Sequence, residues 1–360
     1  MTKKPSNTVA RTCGTSKMPK DRKPINLALQ GGGAHGAFTW GVLDRLFEDN
    51  RLWIEGISGT SAGAMNAVVS AHGIAKKGSE GAREKLHDFW YSVSQAGRFS
   101  PIQRDIISRL MGSWSLDKSP SYLFFDVVNR FASPYELNPL NINPLKTLIE
   151  EQVDFDYVRS CANLNLFVSA TNVETGRVKV FKRQELTSDM VLASACLPFM
   201  FQAVEIDGIP YWDGGYMGNP VLFPFFTANC SDDLLIVKIN PLERKGTPKT
   251  ARDILERVNE ITFNSSLLKE LRAVEFVSRL LHNGQLEKGA YKDVLVHLIH
   301  SEVLLDLGAS SKLNSEWEFL CMLRDAGRDA AEQWLDEHID AVGQRSSLDL
   351  SALLNLARIQ

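Results

Sequence analysis

Apolar residues in the first part of this chain fall into short runs closed by glycine, separated by stretches of helical periodicity. Ile25–Leu29 (INLAL) is a compact apolar run halted by glycines 31–33, and it predicts a buried strand. From Ala34 to about Glu48, Phe38, Val42, Leu43, Leu46 and Phe47 recur at helical spacing, predicting an amphipathic helix. Leu52–Ser58 (LWIEGIS) reads as a second strand that runs directly into GTSAG and a helix of small residues through about Ala75. Strand, helix, strand, helix predicts parallel α/β structure.

Residues 80–160 read as mainly helical, with Trp90, Trp114 and Phe124/Phe125 as anchors. Leu164–Asn172 and Arg177–Phe181 alternate as strands joined by a turn at Glu174-Thr175-Gly176. A hairpin is expected around Asp207-Gly208, and Leu234–Ile239 forms a further buried strand ended by Asn240-Pro241. From about Ala251 helices dominate: a long amphipathic one through Leu281 and another opened by the capping box Ser315-x-x-Glu318. Val294–Ile299 between them has the makings of one more strand. With neither internal repeat nor Gly/Ser linker, the expected organisation is a basic tail (1–23), an α/β unit (24–245) and a mainly helical region (246–360) packed on that unit.

Composition changes this picture little. At 360 residues, 44% hydrophobic and 23% charged, the chain can bury a sizeable core. Five cysteines (Cys13, Cys161, Cys196, Cys230, Cys321) lack C-x-x-C spacing, which argues against a disulfide framework or a zinc site and for a reducing compartment. No run approaches the roughly 18 apolar residues of a membrane span, and the N-terminus lacks a secretory apolar centre. A cytoplasmic protein is expected, with peripheral membrane contact as an option. The net charge of −3 conceals seven Lys/Arg against Asp21 in residues 1–23, a tail of +6 on a body of −9. Such a tail reads as a disordered, solubilising extension, with a weak tether to anionic lipid as the sharper alternative. An acidic body without a reading motif argues against nucleic acid.

Three motifs carry chemistry. In GGGAHG, Gly31, Gly33 and Gly36 satisfy G-x-G-x-x-G, the dinucleotide-binding pattern, and Glu55 follows at a plausible distance for a ribose-binding acid. GTSAG (Gly59–Gly63) stands where a strand meets a helix, the context of a G-x-S-x-G nucleophile elbow, in which a tight turn exposes Ser61 Oγ at a helix start. A glycine loop beside such a serine can offer its bare N–H groups to a tetrahedral oxyanion as readily as to a pyrophosphate. Asp213-Gly214-Gly215, following an expected strand, is in isolation a common turn sequence.

Taken in order, GGGAHG, GTSAG and DGG resemble the patatin-like phospholipase family, with weaker similarity at SATN (Ser169–Asn172) and ASACLPFMF (Ala193–Phe201). The resemblance covers roughly residues 25–220. It implies a three-layer α/β sandwich with a mainly parallel central sheet, extended here by C-terminal helices. It further implies a serine acyl hydrolase acting on lipid or phospholipid esters, with Ser61 as nucleophile and Asp213 as base of a dyad that includes no histidine. Gly31, Gly32, Gly33 and Ala62 would form the oxyanion hole, with the N–H groups of Gly32 and Gly33 foremost, and Gly36, Gly59, Gly63, Gly214 and Gly215 would be motif glycines. No cofactor and no metal are implied, while a protein activator or an oligomer is left open. Since a free aspartate is a feeble base for a hydroxyl, Asp213 is expected to have a raised pKa.

Rival readings accompany this one. His297 or His300 would complete a Ser-Asp-His order, and His35 would pack the loop or help hold a phosphate. A dinucleotide-dependent oxidoreductase using GGGAHG, and a non-catalytic lipid-binding protein on the same scaffold, are the alternatives in function. Cys196–Phe201 and Val221–Phe226 are expected in the core, with an acyl-chain groove or a membrane contact as the alternative. For the helical C-terminal region a lid, a dimer surface and a membrane-docking face are all open.

Overall fold

The computed structural model describes residues 19–98, 100, 103–105, 108, 111–128, 131–227, 230–287 and 291–354. Most of the basic tail, including Cys13, lies outside these residues. Strands β1 (Lys23–Leu29), β2 (Leu52–Gly59), β3 (Asn165–Asn172), β4 (Val178–Lys182), β5 (Val204–Ile206), β6 (Ile209–Asp213), β7 (Asp233–Val237) and β8 (Leu295–Ile299) form one sheet. Its order is β5-β6-β3-β2-β1-β7-β8, with β4 also on β3. From β3 through β2, β1 and β7 to β8 all pairs are parallel, whereas β4, β5 and β6 add an antiparallel flank. Asp207 and Gly208, both at positive φ, make the β5–β6 turn.

Alternation along the central strands feeds two cores. Leu27, Leu29, Leu235 and Val237 face one side, with the helices α1 (Gly36–Asp49), α2 (Ala62–Gly97), α3 (Ser188–Ser194) and α5 (Trp317–His338), while α4 (Ala251–His282) lies across the sheet. Ala28, Leu234 and Ile236 face the other, against Leu222 and Phe225 and the α4 residues Leu267, Leu271 and Val274. Burial on both faces is what a parallel sheet needs, and it explains why the strands read as continuous apolar runs. Helix α5 lies on α1 at glycine contacts: a side chain on Gly41 would run into the Arg324 carbonyl, and one on Gly327 into the Phe38 carbonyl.

The structure departs from the sequence reading at three places. The helix after GTSAG extends to Gly97, broken at Lys77 and Gly78, and its halves are packed so closely that a side chain on Gly73 would meet the Gly81 backbone. Phe124 is exposed rather than an anchor, and the Phe125 side chain lies outside the described residues. The capping box is not formed: Glu316 is the N-cap of α5, its side chain drawn away by Arg104 at 2.8 Å, while Ser315 packs on Gly97.

Candidate active site

The elbow and the aspartate meet because of how β3 shares its edges. One edge pairs with β4 over Phe167–Thr171. The other pairs with β2 as far as Gly59↔Val168 and then, two residues on, with β6 from Ala170↔Asp213. Strand β6 therefore takes the edge that β2 vacates as its chain turns into the elbow, so Asp213 ends its strand beside Ser61.

Ser61 has φ 55° and ψ −122°, a conformation non-glycine residues avoid, and caps α2. The turn is over-determined around it. Ser61 N–H donates to Ser194 Oγ at 2.9 Å, and Thr60 Oγ1 donates to the Gly218 carbonyl at 2.7 Å and lies 2.6 Å from Ser169 Oγ. A side chain on Gly59 would strike the Gly63 carbonyl, and one on Gly63 the Leu29 carbonyl, so the elbow admits no Cβ at either position. Gly36 and Gly214 are hemmed in likewise, by Ala62 Cβ and the Ser169 carbonyl.

Asp213 is 3% exposed. Gly215 N–H donates to its Oδ1 at 2.7 Å, and Thr171 Oγ1 donates to its backbone carbonyl at 2.8 Å. Burial pushes the carboxyl up to about 7, against the opposing pull of the Gly215 N–H and the Ser61 side chain. The expectation of a raised pKa thus has a definite physical source.

The glycine loop runs over the serine. A Cβ on Gly31 would come within 2.6 Å of Ser61 Cβ and of the Thr60 carbonyl oxygen. The Gly31 N–H is not open to a substrate, since it donates to Asn219 Oδ1 at 2.7 Å; this corrects its inclusion among the oxyanion donors. Among the described hydrogen bonds, the N–H groups of Gly32 and Gly33 have no protein acceptor, and Ala62 supplies the first N–H of α2. Gly33 sits at φ +58°, where a side chain would also run into the Lys312 carbonyl.

The loop's supports had no local signal in the sequence. Gln30 Oε1 accepts from the N–H groups of Ile239 and Asn240, both at 3.0 Å, and Asn240 Nδ2 donates to the Gly31 carbonyl at 2.8 Å. Lys312, on the 3₁₀ turn Ala309–Leu313, donates to Asn240 Oδ1 at 2.8 Å.

Ser61, Ala62, Asp213, Gly215 and Gly31–Gly33 open on one cavity of about 280 Å³. Its remaining walls are apolar except for Asn219 and Lys312, and include Met65, Trp90, Leu145, Leu197, Met200, Phe201 and Phe263. Cys196–Phe201 accordingly contributes to the cavity, whereas Val221, Leu222 and Phe225 are core.

The rival residues lie elsewhere. His297 is fully buried, with Nε2 donating to Asp233 Oδ1 at 3.0 Å and Nδ1 2.9 Å from Ser347 Oγ, near the start of β7. Neither it nor His300 lines the cavity, which removes the triad. His35 packs the loop, Nε2 lying 2.8 Å from Ser311 Oγ, and burial with Lys312 and Arg244 nearby holds its pKa well below the usual value. Glu55 occupies the irregularity opposite Ile25/Asn26 in the β1–β2 ladder and accepts from Ser231 N–H at 2.6 Å. It stands four residues before the end of β2, at the wrong place to reach a ribose over the loop.

The family model for patatin-like phospholipase matches residues 27–226, more than half of the chain. The chain belongs to the patatin-like phospholipase family. As a member of this family it is a lipid acyl hydrolase. A search of curated proteins finds no match. Among solved structures it is similar to VipD from Legionella pneumophila at 15% identity and a TM-score of 0.40, covering 88% of this chain and 67% of that one. It is also similar to the ExoU–SpcU complex of the type III secretion system of Pseudomonas aeruginosa, at 18% identity and a TM-score of 0.34, covering 94% and 76%. A further structure of the type III effector ExoU matches at 17% identity and a TM-score of 0.34, covering 88% of this chain and 53% of that one, so the patatin-family chain spans about half of its length. No helix among the described residues is long and apolar enough to cross a membrane.

Proposed function

We propose that this patatin-family chain hydrolyses acyl esters of phospholipids or related lipids through Ser61 and Asp213. One observation carries the reading: a strained serine turn and a buried carboxylate open on the same apolar cavity, beneath a loop whose Gly32 and Gly33 N–H groups have no acceptor among the described hydrogen bonds. Asp213 takes the Ser61 hydroxyl proton as Oγ attacks the ester carbonyl carbon. The carbonyl electron pair moves to oxygen, where the N–H groups of Gly32, Gly33 and Ala62 receive the negative charge. Collapse breaks the C–O bond to the alcohol, which leaves with the proton returned by Asp213. Water, deprotonated by the same carboxylate, then releases the fatty acid from Ser61. A carboxyl titrating at about 7 suits both directions of proton transfer near neutrality.

The cavity lies near the lower end of ligand pockets, which run to roughly 300–1,000 Å³, and its apolar wall suits part of an acyl chain. The test combines labelling by a serine-directed fluorophosphonate with turnover of a fluorogenic phospholipid by wild type, Ser61→Ala and Asp213→Asn. Labelling lost in Ser61→Ala, and turnover reduced by about three orders of magnitude or more in both variants, is expected. Turnover that survives in Ser61→Ala would sink the proposal.

A further inference from the structure

We infer that a groove at the end of the sheet remote from Ser61 binds the anion of a long-chain fatty acid, with the alkyl chain on an apolar floor and the carboxylate on Arg22 and Lys76. The inference stands on the groove's own residues. The hydrolase reading enters only in naming a source, since such an anion is what acyl-ester cleavage releases.

The groove has a volume of about 660 Å³, within the range of ligand pockets, and shares no lining residue with the catalytic cavity. It opens where β1 and β2 begin, at Lys23 and Leu52. Both strands run away from it towards the glycine loop and the elbow, so the length of β2, roughly 23 Å, separates the groove from Ser61. The break in α2 shapes one wall: Lys77 and Gly78 leave helical geometry, Gly78 at φ +65°, and residues 76–79 face the groove. Leu46, Phe47 and Leu52 are buried in the floor, while Trp53, Ile54 and Ile74 are half-buried beside them.

Charge selects the head group. Arg22, Lys76 and Lys77 line the groove, and among the described residues no Asp or Glu does so, on a chain whose net charge is −3. Lys77 is already paired with Glu84 at 2.5 Å. Lys76 lies over the Tyr157 ring, 5.0 Å from its centre, a contact that leaves the positive charge uncompensated. The half-buried Arg22 side chain has no hydrogen bond or ion pair among the described residues. A planar carboxylate matches the guanidinium fork through two parallel hydrogen bonds, and Lys76 adds a point charge beside it. A bilayer docked on this end would hold the catalytic cavity, beyond the other end of β1 and β2, away from its lipid. A single amphiphile entering a concave groove meets no such conflict.

Trp53 lines the groove and Trp90 the catalytic cavity, so a brominated ligand reports on both by quenching their fluorescence. The full chain is titrated with a terminally brominated undecanoate, below its micelle concentration, and with the corresponding undecanol. A saturable component that disappears in Trp53→Phe and persists in Ser61→Ala is expected. Its Kd should rise roughly tenfold or more in Arg22→Gln/Lys76→Gln, from the loss of charge-assisted contacts. The alcohol should bind that site about tenfold or more weakly than the acid in wild type and be unaffected by the double substitution. Absence of a saturable component, its survival in Trp53→Phe, an unchanged Kd in the double variant, or an alcohol that binds as tightly as the acid would each overturn the inference. Quenching of Trp53 by vesicles of a brominated phosphatidylglycerol, but not by the monomeric acid, would overturn it too and make this face a membrane contact. None of these readouts uses turnover, so a chain that cleaves no ester would remove the hydrolase reading and leave the groove's ligand to be decided by binding.

Discussion

Replacing Asp213 by Asn should make the protein more stable, and the gain should depend on pH in a defined way. The substitution keeps the shape of the side chain and an acceptor for the Gly215 N–H. What it removes is a charge that forms in a fully enclosed place. In the unfolded chain the carboxyl ionises near its ordinary 3.8, and in the folded protein at about 7, so between these values the folded state holds the extra proton. Stability falls with rising pH wherever the folded state binds more protons, so the wild-type penalty opens near pH 4 and is complete above about pH 7. The interval corresponds to about 4 kcal/mol, at about 1.4 kcal/mol per pH unit. Urea denaturation followed by tryptophan fluorescence, for both proteins from pH 4 to 8.5, measures it. Asp213→Asn is expected to exceed wild type by about 4 kcal/mol at pH 8.5 and by less than about 1 kcal/mol at pH 4. Glu270, pushed up to about 7 by burial while it accepts from the N–H groups of Leu222 and Phe223, adds its own slope to both proteins and cancels in the difference. A stability difference that stays constant across this range would refute the assignment of a buried, proton-holding Asp213.

Three further outcomes are expected. Gly31→Ala would force a methyl to within 2.6 Å of Ser61 Cβ, and turnover should drop by about a hundredfold because the serine is displaced; steady-state kinetics on a short-chain ester would detect it. His297→Ala leaves Asp233 buried without its imidazole partner and should cost roughly 3 kcal/mol in urea denaturation, while kcat per folded molecule stays within about twofold if the histidine has no part in the chemistry. The pH profile of kcat/KM should rise through about pH 7 as Asp213 ionises, and that rise should be absent from the residual activity of Asp213→Asn.

Much of the fold was legible because buried parallel strands are apolar runs with hard stops. Ile25–Leu29 ends on glycines for the same reason that it was easy to read: the next residues must pass within contact of Thr60 and Ser61. The Asp207-Gly208 turn and the long helix from Ala251 were equally plain, since positive φ and helical periodicity both leave marks in residue type. What the sequence hid were relations between distant segments. Nothing local in Ala309–Leu313 announces that its lysine forms a wall of the cavity, and nothing in Asn219 that its side chain takes the Gly31 N–H. Ser315-x-x-Glu318 has the letters of a capping box, but the helix starts one residue later, on Glu316, whose side chain pairs with Arg104 from more than two hundred residues away, while Ser315 packs on Gly97. Phe124 kept an apolar letter without a place in the core.

The handover along β3 has a consequence for when this protein acquires its chemistry. The turn at Ser61 is held by Ser169, Ser194 and Gly218, Asp213 joins it only where β6 has taken the edge that β2 leaves, and the floor under Gly33 comes from residue 312. The serine turn, the carboxylate and the loop thus all draw on segments more than one hundred residues apart. Loop closure makes contacts of long sequence separation costly, so the serine, the carboxylate and the glycine loop come together only in a chain folded over most of its length.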